Sequence, residues 1–388
     1  MSIKGKAFIA GIYEHPGRHL PDRTLPQIHA DVGLGALADA GLSTSDVDAY
    51  YSAGDAPGFG VLSMIDYLGL ECRYLNNTET GGSSYLVHAQ HAATAIAAGH
   101  IDVALITLAG KPLTGGAGPG GSGRVGAAPE APFEGQWGMS VPGGYALAAQ
   151  RHMHEFGTTS EQLAEIKVAA STHAQHNPRA FLQDVVTVEE VIESPMISDP
   201  LHRLDCCVIT DGGGAMVIVS EAVANSLERH SVPILGTGSY VKSSQSGRID
   251  LTHTGAAKSG PLAFAEAGVT PSDIDYVSIY DSFTITVLIT LEDLGFCERG
   301  GGGRFVSDGN LQAPHGSLPF NTDGGGLCNN HPANRGGMTK VIEAVRQLRG
   351  EANTPVQVDD CELALAHGTG GSLATRSASS TMILGRSL

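Results

Sequence analysis

The stretch best equipped for chemistry is Asn321-Thr-Asp-Gly-Gly-Gly-Leu-Cys-Asn-Asn-His331-Pro-Ala-Asn-Arg-Gly-Gly337-Met. It holds five glycines and one His-Pro step, and no long apolar run. A glycine-rich turn lets main chain approach a ligand, because no side chain stands in the way. The helix-like segment behind it, Thr339 to Arg349, is stopped by Gly350. A helix start offers free N–H groups to an anion or oxyanion. His331 sits at that junction, and Pro332 stiffens the turn. A glycine-rich surface loop with an incidental histidine has the same spacing, since such loops are common.

Elements that position this turn repeat along the chain. Ala38-Asp-Ala-Gly-Leu-Ser-Thr-Ser-Asp-Val-Asp48 leads into a strand at 49–53. Ala265-Glu-Ala-Gly-Val-Thr-Pro-Ser-Asp-Ile-Asp275 leads into another at 276–280. Each reads as a helix end, a glycine cap, a Ser/Thr N-cap, an acidic turn and a strand. Ser84 to Gly99 before the strand at Asp102 matches Gly337 to Gly350 before the strand at Cys361. Strand–helix alternation of this kind predicts layered α/β architecture, and two echoes in the same order predict a duplicated unit around a pseudo-twofold axis. The first strand is expected over Lys4–Ile12 and the first helix over Pro26–Ala40. Residues 1–228 and 229–388 form the two halves. Residues 110–200, with a Gly/Pro/Ala-rich loop from Gly110 to Trp137 and helices between Gln150 and Asn177, read as an insertion into the first half and the natural cap over a ligand. The helix beginning near Ser160 takes Ser160 or Thr159 as its N-cap.

Composition excludes several functions. A chain of 388 residues is too long for one ordinary core. Its formal charge of −17 repels a phosphate backbone, so nucleic acid is not the partner. No apolar run is long enough to span a membrane, and the N-terminus reads as a strand rather than a signal peptide. The six cysteines are scattered with no C-x-x-C pair, which points away from a zinc site or disulfide framework and toward reduced thiols in the cytoplasm.

Several segments, taken together, resemble the thiolase superfamily, and within it the thiolase domain of sterol carrier protein X and its bacterial lipid-transfer-protein relatives. They are Tyr145 with Arg151-His-Met-His-Glu-Phe-Gly157, Asn177-Pro, Leu204-Asp-Cys-Cys-Val-Ile-Thr-Asp-Gly-Gly-Gly-Ala215, Tyr280-Asp-Ser-Phe283, the Asn321 to Pro332 turn, and Leu365-Ala-His-Gly-Thr-Gly-Gly371. The resemblance covers nearly the whole chain. It implies a duplicated α/β/α/β/α five-layered fold with an inserted loop domain, and a homodimer.

The departures carry the functional reading. A thiolase of this type places its nucleophilic cysteine at a helix N-terminus. The matching stretch here is Thr78-Glu79-Thr80-Gly81-Gly82-Ser83-Ser84, with Glu79 at the cysteine position. A carboxylate is a poor substitute for a thiolate in attack on a thioester. Ser83 and Ser84 read as the N-cap pair of the following helix. The second catalytic cysteine of many thiolases maps near Gly368, and no cysteine falls there. Cys206, Cys207 and Cys328 read as packing residues. Where thiolases carry an Asn or His of the oxyanion hole, Tyr280 stands. A phenol can donate to an oxyanion, or act as acid or base if its pKa is shifted; a strand-end tyrosine with a satisfied hydroxyl is the alternative.

An oxyanion hole without a nucleophile suits retro-aldol cleavage of a β-hydroxyacyl-CoA, such as a steroid side chain, through an enolate. The resemblance then assigns His331 to the enolate oxygen and Tyr280 as second donor or base. His367 is the other acid/base, or a structural loop histidine. Glu79 orients a water or a histidine, or is a helix-start carboxylate favoured by the dipole. Asp281 supports the loop, and Gly82, Ser83, Gly326 and Gly370 line the substrate site. His88 and His91 read as packing or surface residues. No metal or cofactor is expected in the chain beyond the coenzyme A thioester substrate; a small zinc-ribbon/OB-fold partner subunit, carrying any zinc, is implied by the relatives. Rival readings are a thiolase or acyltransferase on a 3-oxoacyl-CoA and a non-catalytic acyl-CoA or lipid carrier.

Overall fold

The computed structural model describes residues 2–116, 129, 132, 136, 140–244, 248–332, 336–373 and 375–388. The reading of the Gly110 to Trp137 loop lies largely outside these residues.

The first half runs β1 (Ala7–Glu14), α1 (Leu25–Ala40), β2 (Ala49–Tyr51), α2 (Val61–Leu68), β3 (Tyr74–Asn76), α3 (Ser84–Ala97) and β4 (Val103–Gly110). The insertion follows as α4 (Val141–Phe156), α5 (Ser160–Ala174), α6 (Val188–Glu193) and the short strands β5 (Met196–Ser198) and β6 (Leu201–His202). β7 (Gly212–Ser220) and α7 (Glu221–Ala224) return to the first half. The second half comprises β8 (Val232–Lys242), α8 (Ala256–Ala267), β9 (Tyr276–Ile279), α9 (Thr284–Asp293), α10 (Gly302–Ser307), α11 (Gly337–Arg349), β10 (Leu363–Gly371) and β11 (Ser377–Gly385). β1 starts three residues later than Lys4, because residues 4–6 form a turn closed by Lys6 N–H donating to Ile3 O.

The duplication is visible in the strand order, β3-β2-β4-β7-β1-β8-β11-β10-β9. From the β1–β8 junction outward, β1-β7-β4-β2 and β8-β11-β10-β9 mirror each other. The junction itself is thin, pairing Phe8 with Pro233 and Ile9 with Val232. Local caps explain why the helix–turn–strand units recur. Gly41 and Gly268 end α1 and α8 in the left-handed region, at φ 73° and 74°. Asp46 and Asp273 each accept the main-chain N–H of a Ser or Thr three residues earlier, at 2.8 and 2.7 Å. Layering follows from which faces are apolar. α1 packs on the outer face of the first half-sheet, α3 and α11 share the central core with strands of both halves, and α8 and α9 cover the second half-sheet.

The described part of the insertion supports the glycine turn directly. Lys167 of α5 donates to Leu327 O at 2.8 Å, Asn177 Nδ2 to Asp323 O at 2.9 Å, and Leu182 N–H to Cys328 O at 2.9 Å. α5 is capped by Thr159, whose hydroxyl accepts from Gln162 N–H. Among the described residues no helix is long and apolar enough to cross a membrane.

Candidate active site

Strand β9 delivers Tyr280 to the centre of the molecule. Tyr280 N–H donates to His367 O at 3.0 Å, which carries the β9–β10 pairing one residue past the strand. The ring then meets two glycines. A Cβ on Gly82 would stand 2.5 Å from Tyr280 Cζ and a Cβ on Gly336 3.2 Å from its Cε2. Gly82 therefore excludes a side chain, against both the phenol and Thr369 O, and Gly336 leaves little room for one, so the phenol fits between the starts of α3 and α11. Gly82→Ala is expected to displace the ring and lower kcat on the order of 10²-fold, the loss typical of a small misplacement of a reacting group; steady-state kinetics on the folded variant checks this.

The glycine turn is fastened to the end of β9. Asn321, at φ 38°, accepts from Ile279 N–H and donates to Ile279 O through its side chain, both at 2.9 Å. One turn of π-helix follows over Gly325–Asn329. Asp281 receives it, accepting from Gly326 N–H at 2.8 Å and Leu327 N–H at 3.1 Å. A Cβ on Gly325 would collide with the Asp281 carboxylate, which explains the glycine there. Thr210 holds the exit of the turn, its Oγ1 accepting from His331 N–H at 2.9 Å and donating to Asn330 Oδ1 at 2.8 Å.

This scaffold brings Tyr280 and His331 together. The phenol hydroxyl and His331 Nε2 share a hydrogen bond of 2.9 Å, and both residues are buried. Burial pushes the phenol well above its ordinary pKa, with Tyr145, Cys207 and Asp281 adding to the rise and the Gly336 N–H opposing it. Burial also holds His331 down at about 4; Asp281 works against that, and Lys340 works with it. At neutral pH the pair is a neutral phenol bonded to a neutral imidazole.

The other sequence candidates fall in different places. Asp281 supports the turn and pairs with Lys340 at 2.9 Å. Gly326 lies under the imidazole, where a Cβ would stand 3.1 Å from His331 Cδ2. Gly370 packs flush against Thr80 O, leaving no room for a Cβ, so the end of β10 seals the Gly81–Gly82 turn. Ser83 does not cap α3. Its main chain is already helical, and its hydroxyl donates to Thr80 O at 2.9 Å; Ser84 Oγ accepts from Thr80 N–H at 2.9 Å. Both hydroxyls are thus used inside the 80–84 turn instead of at the helix end. Glu79 is exposed, and its carboxylate accepts from Gly54 N–H at 3.0 Å and Gly81 N–H at 2.8 Å. His367 is not brought to the pair. Side chains alternate along β10: Gly368 faces Gly82 and Leu86 at the centre, while His367 faces the other way and bonds Thr381 Oγ1 at 2.9 Å. Burial holds its imidazole at about 3. His88 is fully buried, and its Nε2 accepts from Thr78 N–H at 3.2 Å.

All six thiols lie among the described residues, and none of them is activated. Burial raises Cys206, Cys297 and Cys361 to about 12 and Cys72 to about 11, and it also raises Cys207 and Cys328. Among the described residues no group of three or more His, Cys, Asp or Glu side chains is arranged to hold a metal.

Sequence reasoning missed Lys340, Thr210 and Glu14. α11 is buried on nearly every side, yet it carries Lys340, Glu343 and Gln347 at helical spacing. A polar stripe on an otherwise buried helix is the signal that was there to be read. Glu14, at the end of β1, crosses to the second half. It accepts from Asn330 Nδ2 at 2.9 Å and Arg18 at 2.8 Å, and pairs with Arg346 at 3.2 Å.

With this geometry in place, comparison with known proteins gives a consistent result. A thiolase C-terminal domain-like family profile matches residues 238–386. The chain is 35% identical to a steroid side-chain-cleaving aldolase of Thermomonospora curvata, over 95% of this chain and 96% of that one. It is 34% identical to an acetyl-CoA acetyltransferase of Methanothermobacter thermautotrophicus, over 95% and 97%. The solved Ltp2-ChsH2(DUF35) aldolase superposes with a TM-score of 0.86 at 33% identity, covering 99% of this chain and 98% of that one. The chain belongs to the thiolase superfamily, in its lipid-transfer-protein and aldolase branch.

Proposed function

We propose that this protein cleaves a β-hydroxyacyl-CoA by a retro-aldol reaction, giving a ketone or aldehyde and a short acyl-CoA. The observation that carries the reading is the buried Tyr280–His331 hydrogen bond in a chain without an activated thiol. The substrate class proposed is a steroid side chain or similarly bulky acyl group, supported by the likeness to the Thermomonospora aldolase.

In the proposed reaction the β-hydroxyl gives its proton to the Tyr280 oxygen as Tyr280 passes its own proton to His331 Nε2. The relay avoids a free phenolate, which burial makes costly. The Cα–Cβ bond breaks, its electron pair forms the thioester enolate, and the hydroxyl oxygen becomes the carbonyl of the leaving ketone. Because His331 Nε2 is held by the Tyr280 hydroxyl, main-chain N–H groups at the glycine-lined start of α3 replace His331 as the proposed donors to the enolate oxygen. The proton on His331, stabilised by Asp281, returns through Tyr280 to Cα. No protein atom bonds covalently to the substrate, so the replacement of a cysteine by Glu79 costs nothing. Activity is therefore expected without added CoA and to survive iodoacetamide; intact mass during turnover is expected to detect no acylated protein. A strict requirement for CoA would favour the second reading, thiolysis of a 3-oxoacyl-CoA, for which the likeness to the acetyltransferase speaks. A trapped acyl group on any side chain would overturn the lyase.

A homodimer and a small zinc-ribbon/OB-fold subunit belong to the same proposal. The second is supported by the two-component Ltp2-ChsH2(DUF35) aldolase.

A further inference from the structure

Lys340 lies in the first turns of α11 with 1% of its side chain exposed, and its Nζ stands 2.9 Å from Asp281 Oδ1. Asp281 is equally buried. Its other bonds go to the Gly326 and Leu327 N–H groups, both in the π-turn that leads into His331. One carboxylate thus holds the floor under the imidazole, and one ammonium answers it. The groups that face this cluster are Tyr280 and Asp281 after β9, His331, Asp323 and Cys328 on the glycine turn, Lys340 and Glu343 on α11, Tyr145 on α4, Cys207, and Lys167 of α5, whose ammonium bonds Leu327 O and Cys328 Sγ. A buried carboxylate without a counter-charge is costly, and it draws a proton onto any basic neighbour. Here that neighbour is His331.

We propose that Lys340 is a positioning residue for the Tyr280–His331 pair: its ammonium neutralises Asp281, so that the carboxylate fastens the turn while the imidazole stays uncharged and free to accept a proton. Asp281 is then available to steady the imidazolium when His331 takes a proton during turnover. The catalytic consequence rests on the retro-aldol reading, but the charge state of His331 does not, and the test reads that charge state.

The full chain is labelled at histidine and titrated by NMR, with the His331 resonance assigned by its loss in His331→Gln. In the wild type His331 is expected to titrate low, at about 4, because it is buried. In Lys340→Met it is expected to move up by about one unit or more, the effect of an unopposed carboxylate close by. Lys340→Arg is expected to stay near the wild type. The paired variant Lys340→Met with Asp281→Asn removes both charges and is expected to fall back to the low value set by burial. If Lys340→Met does not fold, the comparison is between Asp281→Asn, where Lys340 is unopposed, and the paired variant; His331 must titrate lower in the first. An unchanged His331 titration in Lys340→Met, or equal titrations in that second comparison, overturns the assignment. The acid limb of kcat/KM is expected to move with His331. A chain that cleaves no β-hydroxyacyl-CoA but shows these shifts would keep the role of Lys340 and lose the proposed reaction.

Discussion

Tyr280→Phe is expected to lower kcat for β-hydroxyacyl-CoA cleavage by about 10²–10⁴-fold, the usual contribution of a positioned proton-transfer group. KM is expected to change little, because the phenol acts on the proton in flight and the ring stays where it was. Phenylalanine keeps the close contact with Gly82 and Gly336 that places the side chain. It removes one oxygen, and with it the only link in the proposed relay between substrate and His331 Nε2. His331 is then left with an unbonded ring nitrogen in a buried site, costing about 1–3 kcal/mol of stability. Thermal unfolding is therefore run beside the kinetics, so that a loss of rate is separated from a loss of protein. His331→Ala is expected to fall in the same range, and the double variant to lose little more than either single, since two residues of one relay do not contribute additively. Near-full rates in both single variants would remove the relay.

Much of the framework was readable because its signals are local. Glycine caps at Gly41, Gly268 and Gly350 and the acidic turns at Asp46 and Asp273 are written within a few residues of the elements they end or start. The same locality makes the two halves match segment by segment. What joins them was not readable: β1 meets β8 over two residue pairs more than 200 residues apart in sequence, with nothing in either strand to mark the partner. In the site, the importance of His331 and Tyr280 came through the resemblance, but the bond between them spans 51 residues and only the fold supplies it. His367 shows the opposite case. It stands in a motif beside residues that do face the site, and strand parity turns it away: Gly368 and Gly370 point to the centre and His367 points to Thr381. Ser83 and Ser84 depart from the N-cap expectation for a related reason. A serine pair before a helix is a good cap signal, but here the turn is tight enough that Thr80 takes both hydroxyls. Lys340, Glu14 and Thr210 went unseen because a single charged or polar residue in a sequence does not say whether it faces water or a buried counter-group.

Glu14→Gln is expected to lower the free energy of unfolding by about 3 kcal/mol at neutral pH, and the loss is expected to vanish in acid. Burial alone would raise the Glu14 carboxyl, but Arg18, Arg346 and the Asn330 amide overcome it and hold the group at about 2, against 4.5 for the unperturbed side chain. A shift of that size corresponds to about 3 kcal/mol of differential stabilisation of the carboxylate. The folded pKa lies below the unfolded one, so between them the unfolded chain binds a proton that the folded chain does not. The stabilisation is therefore fully present above about 4.5 and drains away as pH falls toward about 2. Glutamine keeps the shape and a carbonyl acceptor for Asn330, but leaves the Arg18 and Arg346 guanidinium groups without their shared anion. Turnover should also suffer, because Asn329 and Asn330, which Glu14 holds from the other half of the molecule, are the two residues that enter His331. Denaturant unfolding of the wild type and variant across a pH series decides the matter. Curves that converge as the solution is acidified identify the lost contribution as charge on Glu14. A gap as wide in acid as at neutral pH would mean that glutamine simply fits the junction badly, and Glu14 would then be a packing residue with no electrostatic hold on the histidine loop.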